Sequence, residues 1–131
     1  MALTDNLFWR RLHSFTGALP LGAYLVFHLY MNSYSVFGPD VYNGQVAPLR
    51  RLPYLLFIEI FFIFIPLAYH SLYGIYIWYT GRWNALQYGY ARNWLFTLQR
   101  VTGLVTLVFV VFHVYDQRFR PEALFENVWG S

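Results

Sequence analysis

The sequence predicts an all-α protein: a transmembrane helix bundle, three helices in this chain, forming a single membrane domain over residues 1–131. Three observations carry that expectation. The chain is 58% hydrophobic and 11% charged, where soluble domains average about 25% charged. Its apolar residues gather into segments about as long as a bilayer crossing, which takes about 20 residues. Each of those segments holds one histidine: His28, His70 and His113.

The elements follow in order. No Asp, Glu, Lys or Arg occurs between Arg11 and Asp40, so helix I is expected near 14–36. Pro20 lies inside it, which a membrane helix tolerates when neighbours satisfy the freed carbonyl; Gly38-Pro39-Asp40 stops it. Residues 40–53, with two prolines and Arg50-Arg51, read as a polar loop. Helix II is expected at about 54–79, its only charge being Glu59, with Pro66 inside and Thr80-Gly81-Arg82 at its end. Residues 83–93 form an aromatic, glycine-containing connection. Helix III is expected at about 94–116. Its charge-free core, 101–115, is short for a span, so Arg100 lies near the boundary and snorkels or pairs. Residues 117–131 read as a polar loop containing Pro121. Met1–Trp9 lacks a basic leader region, so no cleaved signal peptide is expected.

Composition removes several function classes. The chain has no cysteine, which excludes disulfides, thiolate-bound zinc, iron–sulfur ligation and thioether-linked haem within it. Lys and Arg total nine, and all nine are Arg, scattered through the polar stretches; they form no nucleic-acid patch and read as membrane-flanking and anion-pairing groups. Arg82, Arg118 and Arg120 read as ordinary interfacial anchors. Arg10, Arg11, Arg82, Arg92 and Arg100 fall on one side of the expected spans and Arg50, Arg51, Arg118 and Arg120 on the other, a slight bias that leans the N-terminus inward. The 12 Tyr, 13 Phe and 5 Trp suit interfacial belts and packing against a planar ligand.

An ionisable, metal-binding side chain within a membrane segment is rare without a task. His28 and His113 share a phrase, Val26-Phe27-His28-Leu29-Tyr30 and Val111-Phe112-His113-Val114-Tyr115. Thr16-Gly17 precedes His28 and Thr102-Gly103 precedes His113 at spacings that differ by one residue. With those pairs level, the two imidazoles differ in depth by roughly 1.5 Å. Two neutral imidazoles at one depth can clamp the iron of a b-type haem, each needing an acceptor for its other ring nitrogen. His70 lies closer to the inner face and has no partner at matching depth in this chain. His13, beside Arg10 and Arg11, is better placed to meet a haem propionate or a quinone than to ligate iron. Gly17 and Gly74 share faces with His28 and His70 and admit a flat macrocycle, or serve helix packing instead. Glu59, eleven residues before His70, shares its face and either handles protons near a quinone or reaches water at the boundary. Each histidine also has a plain alternative as an interhelical hydrogen-bonding group.

Several stretches carry a family resemblance: Arg10-Arg11-Leu12-His13-Ser14, Pro66-Leu67-Ala68-Tyr69-His70, Tyr73-Gly74-Ile75-Tyr76, Gln87-Tyr88 through Arg92-Asn93-Trp94, and Leu98-Gln99-Arg100-Val101-Thr102-Gly103 leading to His113. In these the chain resembles the cytochrome b membrane anchor of bacterial succinate dehydrogenase and fumarate reductase, of the single-anchor, di-haem, menaquinone-using type. The resemblance implies five transmembrane helices with a cytoplasmic N-terminus in the bacterial cytoplasmic membrane, docking to flavoprotein and iron–sulfur subunits, and two b haems with two axial histidines each. It implies His28 and His113 as ligands of the outer haem and His70 as one ligand of the inner haem. It implies a non-catalytic electron-transfer subunit working with a quinone, and arginines such as Arg10, Arg11 and Arg100 pairing with haem propionates. In the family the second inner ligand comes from a fourth helix. This chain stops at Trp129-Gly130-Ser131, in what resembles the loop before it, so the last two helices and that ligand are expected from a longer chain or a further subunit. Two other readings keep the segments: the anchor cytochrome of a different quinone-linked dehydrogenase, and a haem-free helical anchor or assembly protein.

Overall fold

The computed structural model describes residues 3–119, and every regular element among them is helical. The chain divides into two compact units, Met1–Tyr76 and Ile77–Ser131.

In the first unit, α1 (Leu3–Thr16) runs through a π-helical turn, Gly17–Leu21, into α2 (Gly22–Ser33) and a closing 3-10 turn, Tyr34–Phe37. Pro20 sits inside the wide turn. A proline has no N–H to give its own helix, and i→i+5 bonding absorbs that loss without ending the helix. The expected start at Ser14 is earlier in the structure: Arg10, Arg11 and His13 all lie within α1. Absence of charge therefore marked the apolar part of a longer helix rather than its first residue.

The expected loop at 40–53 is instead largely helical, as α3 (Pro39–Arg50). Gly38 holds φ 99°, a conformation that costs glycine little, and so breaks the preceding helix. Pro39 then occupies the first turn, where its missing N–H is no loss. Asp40 in the first turn and Arg50 in the last both complement the helix dipole.

The next helix comprises α4 (Leu55–Ile58), a π-helical turn Glu59–Phe64, and α5 (Ile65–Thr80). Its full run Leu55–Thr80 is 26 residues with a mean hydropathy of 2.0. In the second unit, α6 (Ala91–Val114) continues through a π-helical turn, Tyr115–Phe119, giving 29 residues at 1.9. Among the described residues these two helices are long and apolar enough to cross a membrane. The first segment is helical throughout but dilutes its hydropathy with Gly, Pro, Tyr and Asn. The expected polar loop after 116 begins as helix through Phe119; the rest of it, including Arg120 and Pro121, lies outside the described residues.

Among the described residues only Ala85 and Asn93 are buried. Val26, Leu72 and Phe109 are 70%, 69% and 63% exposed. Apolar surface on that scale does not face water in a stable soluble protein, and it agrees with helices built for lipid.

Candidate functional site

The first unit gathers four of the residues singled out in the sequence: His13, Gly17, His70 and Gly74. The imidazoles of His13 and His70 stack with ring centroids 4.0 Å apart and planes 7° apart. His70 Nδ1–H donates to the main-chain carbonyl oxygen of His13 at 2.9 Å. That bond fixes the tautomer and leaves the Nε2 lone pair of His70 for another partner, which is how a metal-ligating histidine is held.

The glycines explain why two rings can approach so closely. A Cβ on Gly17 would collide with Cε1 of His70 and stand 2.9 Å from its Nδ1. A Cβ on Gly74 would stand 3.3 Å from Nε2 of His13. Each glycine lies four residues after one histidine and receives the other's ring. The arrangement is reciprocal because 13 meets 74 while 17 meets 70, so the two helices run antiparallel through this turn. The sequence expectation at Gly17 and Gly74 is a flat macrocycle or helix packing; in the structure each glycine faces an imidazole. The sequence did carry a signal for it: His13-Ser14-Phe15-Thr16-Gly17 and His70-Ser71-Leu72-Tyr73-Gly74 repeat the pattern His-Ser-x-x-Gly. The sequence puts His13 at the mouth of helix I and gives His70 no second ligand at its depth; the structure adds that α1 carries the His13 ring to the level of His70, where the two imidazoles stack.

Aromatic contacts brace the pair. Tyr69 donates its hydroxyl to the Trp9 carbonyl at 2.9 Å, and the two rings lie 6.2 Å apart. Tyr73 packs beside His13 at 5.7 Å and stacks on Tyr69 at 5.8 Å. Nε2 of His13 is buried with no hydrogen-bond partner among the described residues, so a polar ligand atom arriving beside His70 finds a group ready to receive it. Arg10 and Arg11 are exposed on the same helix.

His28 is differently placed. Its Nδ1 lies 3.4 Å from the Tyr24 hydroxyl, with the rings 5.4 Å apart, and its carbonyl accepts from Asn32 Nδ2 at 2.7 Å. Tyr24 also interacts electrostatically with Glu59. Glu59 opens the π-helical turn, whose i→i+5 bonds interrupt the 3.6-residue period, so the eleven-residue spacing does not itself put Glu59 on the face of His70. In the second unit His113 stacks on Phe109 at 5.5 Å. Arg100 packs its guanidinium against the Gly81 backbone, 4.1 Å from the Phe96 ring centroid and 5.6 Å from that of Trp83. Among the described residues no three His, Cys, Asp or Glu side chains come together as a metal cluster.

The donor set fits a porphyrin better than a bare ion. The held Nδ1 of His70, the unpartnered Nε2 of His13 and the aromatic faces nearby suit a planar group that brings its own four equatorial ligands.

The chain is similar to the succinate dehydrogenase cytochrome b558 subunit of Bacillus subtilis, with 48% identity over 122 residues. The match covers 93% of this chain and 60% of that relative, so the chain spans about three fifths of the relative's length. No family model and no solved structure matches the chain.

Proposed function

We propose, starting from the chain's membership of the succinate dehydrogenase cytochrome b family, that it is the membrane-anchor part of a succinate:quinone oxidoreductase. In this reading it passes electrons between an iron–sulfur subunit and a menaquinone-type quinone. Succinate chemistry belongs to a flavoprotein partner. The anchor lies in a bacterial cytoplasmic membrane with its N-terminus on the side where those subunits dock.

Bound haem b supplies one-electron redox chemistry; the residues of this chain decide where it sits and how easily it is reduced. His70 offers Nε2 while the His13 carbonyl holds Nδ1. This is the observation that carries the reading, because it leaves one ring nitrogen set to ligate. His28 and His113 would hold the outer haem, and His70 would give one ligand to the inner haem. Gly17 and Gly74 keep the backbone clear beside the rings. Arg10, Arg11 and the free Nε2 of His13 pair with propionate or quinone oxygens on this side. Glu59, within electrostatic reach of Tyr24, handles a proton near quinone.

The test is an optical spectrum of the purified full-length protein. A reduced b-type band is expected; its absence overturns the cytochrome reading in favour of a haem-free anchor. His28→Ala and His113→Ala are expected to remove the same haem, and His70→Ala the other. Loss of both haems, or of neither, in the first two variants overturns the pairing.

A further inference from the structure

The second unit contains a cavity away from the histidines. It has a volume of about 400 Å³ and is lined by three arginines, Arg82, Arg92 and Arg100, together with Asn84, Asn93, Tyr90 and Phe96. No carboxylate lines it, and the sequence has no Asp or Glu anywhere between Glu59 and Asp116.

The rim is built in advance. The turn closes through Gln87 N–H and Tyr88 N–H, which both donate to the Asn84 carbonyl at 3.0 and 2.9 Å. Asn93, 8% exposed, donates from Nδ2 to the Tyr88 carbonyl at 2.9 Å and accepts the Thr97 hydroxyl on its own carbonyl at 3.0 Å. Arg100 is pinned by Phe96, Trp83 and the Gly81 backbone. Arg82 and Arg92, both exposed, line the same cavity as Arg100, and an anion seated there would be drawn to all three guanidiniums.

The location selects the anion. The cavity belongs to the segment joining the end of one membrane-length helix, at Thr80, to the start of the other, at Ala91. A segment joining two helices of membrane-crossing length belongs at a membrane–water boundary, where lipid phosphates sit. Beside it Leu86 is 93% exposed, and Trp83, Tyr88, Tyr90 and Trp94 are all exposed, as in an interfacial aromatic belt with acyl chains alongside. We propose that the cavity lined by Arg82, Arg92 and Arg100 is a binding site for the phosphate headgroup of an anionic phospholipid. Arg100, expected from sequence to pair with a haem propionate, takes its place here beside Arg82 and Arg92. The site lies wholly within the second unit and does not rest on the haem assignment.

The test uses the full-length protein, purified in detergent and stripped of lipid. It is titrated with dioctanoyl phosphatidylglycerol, dioctanoyl phosphatidylcholine and inorganic phosphate, following tryptophan fluorescence, with the reduced haem band recorded in parallel. Saturable binding of phosphatidylglycerol is expected, with much weaker binding of the zwitterionic lipid. An Arg82→Gln/Arg92→Gln double variant is expected to bind phosphatidylglycerol roughly tenfold or more weakly, with its haem band unchanged. Equal binding of the two lipids, or undiminished binding by the variant, overturns the proposal. Inorganic phosphate that competes at the lipid's own concentration makes the site one for free anions and overturns the lipid assignment. Loss of haem in the double variant assigns the arginines to propionates and also overturns it.

Discussion

His70 and His28 sit in the same unit and are held in opposite ways. His70 is fixed from across the helix pair: a backbone carbonyl takes its Nδ1–H at 2.9 Å, a second imidazole covers its face at 4.0 Å, and a glycine clears the space beside it. His28 has a long 3.4 Å contact to a hydroxyl one turn away on its own helix. A backbone acceptor cannot rotate away, whereas a phenol on an exposed helix face can. The difference teaches that His70 is positioned by the contact between two helices of this chain, whereas His28 has a side chain of its own helix, Tyr24, among its neighbours. If that is right, substitutions near His70 cost far more than substitutions near His28.

The largest effect is expected at Gly17. Valine there drives a Cβ into the His70 ring, which is already hydrogen-bonded and stacked and so has little freedom to move. Overpacking of this kind costs about 1–3 kcal/mol. The expected outcome is a lower melting temperature together with loss of the His70-dependent part of the reduced b absorbance, while the His28-dependent part stays. A Gly17→Val protein with a full spectrum and unchanged melting breaks the comparison at its strongest point.

That glycine also marks where the sequence was readable and where it was not. The charge-free runs announced helices II and III because membrane insertion depends on local composition, which a single chain displays openly. Residues 40–53 read as a polar loop because of their two prolines and Arg50-Arg51, with Gly38-Pro39-Asp40 as the stop of the helix before; Pro39 is in fact a helix starter, and only its position after a positive-φ glycine reveals that. Gly17 and Gly74 read as admitting a flat macrocycle or as serving helix packing. The imidazoles they face were not legible, because pairing depends on the antiparallel register of two helices, and register is a property of the contact rather than of either segment. The repeated His-Ser-x-x-Gly pattern holds that register, yet becomes meaningful only once the helices are known to run in opposite directions. The arginine cavity was illegible for a similar reason: Arg82 looks like an interfacial anchor until the turn brings it, with Arg92, to the cavity that Arg100 also lines.

His13→Ala separates the two supports of His70. The substitution removes the stacked ring and keeps the carbonyl that accepts the hydrogen bond. Stacked ring pairs contribute about 0.5–1.5 kcal/mol, so a loss of about 1 kcal/mol in unfolding stability is expected, with haem content retained. If haem is lost as completely as in His70→Ala, the stack rather than the carbonyl orients the ligand. Gly74→Ala probes the same contact more gently. Its Cβ would stand 3.3 Å from His13 Nε2, so the imidazole needs to yield only a few tenths of an ångström. A cost below about 1 kcal/mol is expected, smaller than that of Gly17→Ala in the same melting assay. The reverse ranking contradicts the geometry of the pair.

The smallest effect is expected at Tyr24. At 3.4 Å the hydroxyl lies beyond the usual range for a hydrogen bond, about 2.7–3.2 Å, and such a contact on a half-exposed histidine contributes at most about 0.5 kcal/mol. Tyr24→Phe keeps the ring that packs against His28 and removes only the oxygen. Haem content is expected to stay intact, with the midpoint potential of the His28-dependent haem moving by about 20 mV or less, since 59 mV corresponds to a tenfold change in a one-electron equilibrium. A shift several times larger would mean that the Tyr24 hydroxyl closes on Nδ1 once iron occupies Nε2. His28 would then be held as firmly as His70, through a contact that forms with the ligand bond instead of preceding it.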